Sequence, residues 1–353
     1  MIDNFVYNAH PGRVLFGTGT LDRLPEEVER LGIERALVLA TPHQRGVAED
    51  LSRMIGTRAA GVFADATMHT PVEVTDRALR EVQNRGIDGL VAVGGGSTTG
   101  LAKAIALRTD LPQIVVPTTY AGSEMTPILG ETQNGAKTTQ SSPKVLPEVV
   151  IYDVDLTLNL PFDLTVTSGM NAIAHAAEAL YAKERNPIIS LLAEEGIAAL
   201  WRALPALRAH PTDLGARSEA LYGAWLCGIC LGSVGMALHH KLCHTLGGSF
   251  DLPHAETHTA LLPHALRYNA PDAPEAMSRL SRALGTDNPS RSLFNLAADL
   301  GATMALRDLG MPEDGIERAT DLALQNPYWN PRPLERDALR DLIAAAWAGE
   351  CPA

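Results

Sequence analysis

Three short runs constrain the fold most: RALVLA (35–40), GLVAV (89–93) and QIVVP (113–117) are apolar almost throughout and are bounded by Gly, Pro or charge. Runs of this kind, apolar on both faces, suit buried parallel strands, which must be covered by helices on either side. Between the first two lies HTPVEVTDRALREVQNRG. Thr70 and Glu73 read as a capping box, Pro71 as the first helical position and Gly86 as the stop, with Val74, Ala78 and Val82 on one face. Strand, helix, strand repeated in this way predicts a doubly wound α/β domain over residues 1–155. Beyond 156 the strand signal disappears. An Ala- and Leu-rich helical pattern runs on, punctuated at LPFD, RNP, AHPTD, DLPH and NAPDAP, and predicts an all-α domain over 156–353.

A chain of 353 residues with 46% hydrophobic content can bury two such cores. Its formal net charge of −12 argues against nucleic acid or an anionic membrane as partner, so an anionic substrate would have to be drawn by a few local cations. The start, MIDNFVYNAHPGR, carries no signal-peptide pattern, and no run approaches the ~18 apolar residues of a membrane span. The four cysteines make no disulfide framework; Cys227 and Cys230 fall in YGAWLCGICLGSVGMAL and read as core thiols one turn apart. A cytoplasmic protein is expected.

Three motifs carry chemistry. In VAVGGGSTTGLAKAIAL an apolar run ends in Gly94, Gly95, Gly96 and Ser97, and a helix starts at once. Glycines there let backbone N–H groups and the helix N-terminus approach a phosphate. In VVPTTYAGSEMTP a second strand ends in the hydroxyls of Thr118, Thr119 and Thr126, which suit a pyrophosphate and ribose. The third motif is a crowd of imidazoles: six of eleven histidines lie in residues 239–264. His240 and His244 are four apart on one helical face, as are Asn171 and His175 in NAIAH, and His254 follows a loop that can return it to the same place. The group reads as a site, while His239, His258 and His264 taken singly read as hydrogen-bonded core or surface residues.

The order GGGS, PTT…GSE, xAxxH, H-x3-H-x9-H and NPRP (330–333) resembles the iron-dependent alcohol dehydrogenase and dehydroquinate synthase-like superfamily, over nearly the whole chain. In detail it resembles the maleylacetate reductase branch. The resemblance implies a nucleotide-binding α/β domain followed by a helical substrate domain, NADH or NADPH as cofactor, a homodimer, and reduction of maleylacetate to 3-oxoadipate in aromatic-compound breakdown. It also implies cofactor contacts at Thr41, after the first strand, and at Lys137.

Matched to metal-dependent relatives, the ligand positions are Asn171, His175, His240 and His254, with an amide where an aspartate is expected; another acid of those relatives is replaced by Gly100. No metal is expected, because a neutral amide binds a divalent ion weakly. His175, His240, His244, His254, Lys241 and Asn171 are then the expected catalytic set, holding carboxylate and enolate, with His244 as proton donor. The alternatives are a metal-dependent alcohol dehydrogenase, a dehydroquinate synthase-like lyase, or a nucleotide sensor without catalysis.

Overall fold

The computed structural model describes residues 5–10, 12–133, 136–325 and 328–352, and the side chains of Ala136 and Lys137 lie outside the described set. The chain divides into two compact units, one spanning Ala9–Leu160 and the other combining the described residues 5–8 with the chain from Pro161.

The first unit alternates strand and helix: β1 Arg13–Gly17, α1 Leu24–Arg30, β2 Ala36–Leu39, α2 Arg45–Ile55, β3 Ala59–Phe63, α3 Val72–Arg85, β4 Gly89–Gly94, α4 Gly96–Thr109 and β5 Gln113–Pro117. A hairpin follows, β6 Ile128–Gln133 and β7 Ala136–Ser141, and then β8 Val149–Asp153. Six strands form one parallel sheet in the order β1-β8-β5-β4-β2-β3, and β6–β7 pair separately and antiparallel. Alternate residues of the sheet feed two cores. Val38, Val91, Val93, Ile114 and Val116 pack with Leu24, Val28, Ala48 and Leu51 of α1 and α2. Leu37, Leu39, Leu90, Ala92 and Val115 pack with Val74, Ala78, Leu101 and Ile105 of α3 and α4. Both faces are covered, which is why β2, β4 and β5 are buried at every position.

The start of α3 differs from the capping-box reading. Thr70 adopts φ 47°, its carbonyl accepts from the Thr132 amide of the hairpin, and Pro71 stands at the N-cap, so α3 begins at Val72. Gly86 does close the helix, in the left-handed region at φ 59°. The α/β unit runs on to Leu160. Asp153 accepts from the amides of Gly19 (3.2 Å) and Leu21 (2.7 Å), tying the turn after β8 back to the α/β unit.

Among its described residues the second unit has helices and no strands: α5 Phe162–Ala179, α6 Pro187–Ala209, α7 Leu214–Ser233, α8 Leu238–Phe250, α9 His254–Asn269, α10 Pro274–Leu284, α11 Pro289–Asp299, α12 Gly315–Leu324 and α13 Arg336–Ala348. Sequence punctuation falls at helix starts. Asn186 and Asp213 cap α6 and α7 through the amides of Ile189 (3.1 Å) and Ala216 (2.7 Å), and Pro161 and Pro253 stand at the N-caps of α5 and α9. Cys227 and Cys230 are buried in α7, as read. The NPRP segment is anchored on the end of α9: Asn330 and Asn269 exchange amide hydrogen bonds at 2.7 and 3.1 Å, and the Arg332 guanidinium lies 4.3 Å from the Tyr268 ring centre. Among the described residues no single helix is long and apolar enough to cross a membrane.

Candidate active site

In the α/β unit the chain runs from β2 outward to β3 and then returns to β4 on the other side of β2, so the sheet's switch point lies between β2 and β4. Ligands of open α/β sheets bind at the carboxyl ends of strands beside such a point. The glycine turn is built there. Gly94 sits at φ 149°, where a Cβ would come within 2.5 Å of Thr98 Oγ1 and 2.7 Å of Gln44 Oε1. At Gly95 a Cβ would come within 2.9 Å of Thr119 Oγ1, whereas Gly96 is exposed, with only Ala121 within 4 Å of the same position. The Thr98 and Thr99 amides both donate to the Gly95 carbonyl, which leaves Gly96 and Ser97 as the first-turn residues whose N–H groups have no partner within the helix, with open space beside Gly96.

A chain of side chains binds the loops after β2, β4 and β5 together. Thr41 Oγ1 donates to Gln44 Oε1 (3.4 Å), Gln44 Nε2 donates to Thr118 Oγ1 (2.9 Å), and the Thr118 amide donates to the Gly94 carbonyl (3.0 Å). Gly94, Gly95, Gly96, Ser97, Thr41, Thr118 and Thr119 thus gather at one end of the sheet. Gln44, which joins them, carried no sequence signal beyond its place after β2.

Thr126 does not join this group. It is 1% exposed and its hydroxyl accepts from Lys103 Nζ (2.9 Å), which also donates to the carbonyls of Ser123, Thr126 and Ile128. Burial pulls the Lys103 ammonium down to about 7, against the opposing effect of nearby Glu124. Thr126 and Lys103 hold the loop from inside. The Lys137 side chain, expected near the cofactor, lies outside the described residues. Gly100 has its own reason: a Cβ there would stand 2.3 Å from Thr70 Oγ1, so an acid at this position would displace Thr70.

In the helical unit α5, α8 and α9 bring six imidazoles into contact. Ring centres lie 5.0 Å apart for His175 and His240, 4.9 Å for His240 and His258, and 4.3 Å for His254 and His258. His244 extends the group at 6.4 Å from His240, and its ring runs nearly parallel to that of His254 at 6.5 Å. His244 and His254 are exposed; His175, His239, His240, His258 and Asn171 are buried. Lys241 departs from the expected set, because it projects from another side of α8 and its ammonium lies over the Tyr328 ring at 5.5 Å. His264 lies apart, packed edge-on against Phe294.

The organising group is one that sequence reading missed. Glu178, fully buried at the end of α5, accepts from the amides of Ala237 (2.9 Å), His239 (2.8 Å) and His240 (3.3 Å) at the start of α8. It also accepts from Tyr181 Oη (3.3 Å) and from His240 Nδ1 (2.7 Å). That last bond places the His240 proton on Nδ1, so Nε2 accepts from His175 Nδ1 at 2.8 Å. A line of hydrogen bonds runs from Glu178 through His240 to His175. The one sequence signal for Glu178 was its position one turn after His175, within an apolar stretch.

Burial is the main reason the interior imidazoles resist protonation. It lowers His239 to about 4 and, with the charge of neighbouring histidines, holds His240 and His258 well below the usual histidine value. The buried rings therefore act near neutral pH as uncharged donors and acceptors.

A nucleotide-type turn on a parallel sheet and a helical unit lined with imidazoles together define a dehydrogenase-class protein. Residues 11–154 match the iron-containing alcohol dehydrogenase family, and residues 165–347 match the C-terminal domain of the Fe-containing alcohol dehydrogenase family. The chain is 57% identical over 348 residues to a maleylacetate reductase of a Rhizobium species and 58% identical over 348 residues to one of Burkholderia cepacia, covering 99% of each chain in both cases. The crystal structure of a maleylacetate reductase from Agrobacterium tumefaciens superposes with a TM-score of 0.96 at 57% identity, covering 99% of this chain and 100% of that one. The chain belongs to the maleylacetate reductases of the iron-containing alcohol dehydrogenase family.

The iron in the family's name asks for donors at Asn171, His175, His240 and His254, and the residues present fit such an ion poorly. Asn171 offers a neutral amide oxygen. His175 Nδ1 and His240 Nε2 face each other in a hydrogen bond, and the remaining nitrogen of His240 is held by Glu178. The set carries no anionic ligand of the kind that stabilises a divalent ion.

Proposed function

We propose that this protein reduces the conjugated C=C of maleylacetate to 3-oxoadipate with NADH or NADPH, and that no metal takes part. The α/β unit would hold the reductant and the helical unit the substrate, in a cytoplasmic homodimer. The observation that carries the reading is the Glu178–His240–His175 line of hydrogen bonds, which stands where the family's ion would otherwise organise the site.

The glycine turn suits a pyrophosphate at the start of α4, with Thr41 and Thr118 within reach of a ribose. Thr41 brings no charge to repel a 2′-phosphate, consistent with use of either cofactor. Hydride from the nicotinamide adds to the alkene carbon next to the carboxylate, β to the ketone. The electron pair of the C=C moves to the ketone oxygen as an enolate, and the α-carbon then takes a proton as the ketone re-forms. The exposed His254 imidazole and the Asn171 amide supply hydrogen bonds to the enolate and carboxylates, while the His175 and His240 N–H groups stay in the line to Glu178. His244, exposed on α8, gives the proton and recovers one from water. Lys241, facing Tyr328, adds positive charge near the helix rather than a direct contact.

Two expected results test this. NADH oxidation with fresh maleylacetate should persist in full after exhaustive chelation, with metal content measured on the same sample. Loss of activity on chelation and its return with Fe²⁺ or Zn²⁺ would instead overturn the metal-free mechanism and make Asn171 a weak ligand. Gly94→Ala should raise the KM for NADH and lower stability by about 1–3 kcal/mol, since a Cβ there meets Thr98 and Gln44. Titration of cofactor fluorescence and urea denaturation would read both, and unchanged cofactor binding would remove the turn from the cofactor site.

A further inference from the structure

His258 is the member of the imidazole cluster with no task in the reaction just described. It is fully buried, yet neither Nδ1 nor Nε2 has a hydrogen-bond partner. Its neighbours differ: His239 Nε2 donates to the His258 carbonyl at 3.0 Å, and His240 is bonded at both nitrogens. The His258 ring instead touches those of His254 (4.3 Å), His239 (4.8 Å), His240 (4.9 Å) and His175 (6.2 Å). A neutral imidazole carries one N–H and one lone pair, and burying both unmade costs stability that an apolar ring of the same size would not lose. Buried polar groups without partners are rare in native proteins and concentrate where something else binds.

A second orphan lies on α5, which packs against α9. Asn171 is buried on α5, one turn before His175, and its Oδ1 has no partner. Rotation about χ2 would present the amide N–H₂ there instead. His254, exposed at the first turn of α9, is the ring nearest His258, with centres 4.3 Å apart, and is one of four imidazoles around it. A metal ion is the other occupant to weigh, because nitrogens of His239, His240 and His258 lie within 4.8 Å of one another. Since His239 Nε2 and both His240 nitrogens are already bonded, only His258 is fully available, and an ion would have to break the Glu178–His240–His175 line.

We propose that His258 is a substrate-recognition residue: once His254 swings aside, its N–H donates to a carboxylate oxygen of the bound dicarboxylate, and the Asn171 amide completes that subsite. This rests on the reductase reading above. Its signature is a residue that lowers the stability of the free protein and raises its affinity for a dianion.

The test compares the full-length protein with His258→Phe and His258→Asn. For the Phe variant the expected result is a Tm equal to or above that of the parent, unchanged NADH binding, and a KM for maleylacetate higher by about ten- to a hundredfold, the worth of a hydrogen bond to a charged group. The Asn variant, which keeps an N–H donor, should recover part of the loss. Maleate serves as a probe that needs no turnover; it should raise the Tm of the parent and not that of His258→Phe. A lower Tm with unchanged KM would make His258 a packing residue, and no change in either would mean that the ring meets only buried water. Metal bound by the parent and lost in both variants would transfer the site to an ion. A parent that binds maleate through His258 but does not reduce maleylacetate would keep this subsite and overturn the reductase reading instead.

Discussion

Glu178→Ala is expected to abolish turnover and to lower stability by about 3–5 kcal/mol. The carboxylate is fully buried and is the acceptor for three amides at the start of α8, for Tyr181 and for His240 Nδ1. Removing it leaves several buried donors unmade, each worth about 1–3 kcal/mol, with partial relaxation keeping the sum below simple addition. Glu178→Gln separates packing from polarity. It preserves the shape but leaves one acceptor oxygen for donors that now share two. Either the His239 amide and Tyr181 or the Ala237 and His240 donors then meet an N–H₂, and in the second case His240 takes its proton on Nε2 and the bond to His175 reverses. The Gln variant should fold with a modest loss of stability and still show a deep fall in kcat. Urea denaturation together with NADH oxidation would read both effects. A Gln variant within twofold of the parent in kcat would mean that the His240–His175 bond keeps its direction or that its direction has no bearing on catalysis.

Acid should destabilise the fold steeply between about pH 6.5 and 4. His239 and His264 titrate in the folded chain at about 4, and His240 and His258 lie well below 6.5, all chiefly because burial penalises the charged ring. In the unfolded chain each titrates near its ordinary value, so within that window the unfolded state binds more protons. Their contribution is whole above the unfolded value and is lost as pH falls toward the folded one. Each such histidine adds a slope of about 1.4 kcal/mol per pH unit, or about 5 kcal/mol per unit where all four differ. Glu124 and Glu148 act in the opposite sense, because burial raises both carboxyls and the folded state then binds the extra proton. Urea midpoints taken at intervals from pH 7.5 to 4.5 would show the slope, and a midpoint level across pH 6.5 to 5 would contradict neutral burial of these rings.

How much of this the sequence displayed depends on how each element is stabilised. β2, β4 and β5 stood out because strands buried on both faces are apolar at every position. β1 and β3 did not: they are edge strands, half-buried, and β3 reads AAGVF, with little β-branched character. The β6–β7 hairpin is polar and owes its place to pairing with itself and to Thr70. The Thr70–Glu73 capping box had the correct letters, but Thr70 is held at positive φ by that same hairpin contact, which local spacing cannot express.

In the site, spacing by four showed which imidazoles share a helix face, since helical geometry alone sets that. It did not show that Lys241 faces Tyr328, that Thr126 belongs to the buried Lys103, or that Gln44 links Thr41 to Thr118. Each depends on a partner between 23 and 87 residues away in the chain.

By itself, then, the sequence determined the parallel α/β unit, the helical unit after it, the glycine turn and the crowding of histidines, because periodicity, glycine and proline chemistry and i,i+4 spacing are local properties of a chain. Only the tertiary structure decided which histidines are neutral, which nitrogen of His240 carries its proton, and that neither ring nitrogen of His258 is bonded. Those outcomes come from burial and from hydrogen bonds between α5, α8 and α9, and the free energy of a buried imidazole depends on what surrounds it rather than on its place in the chain.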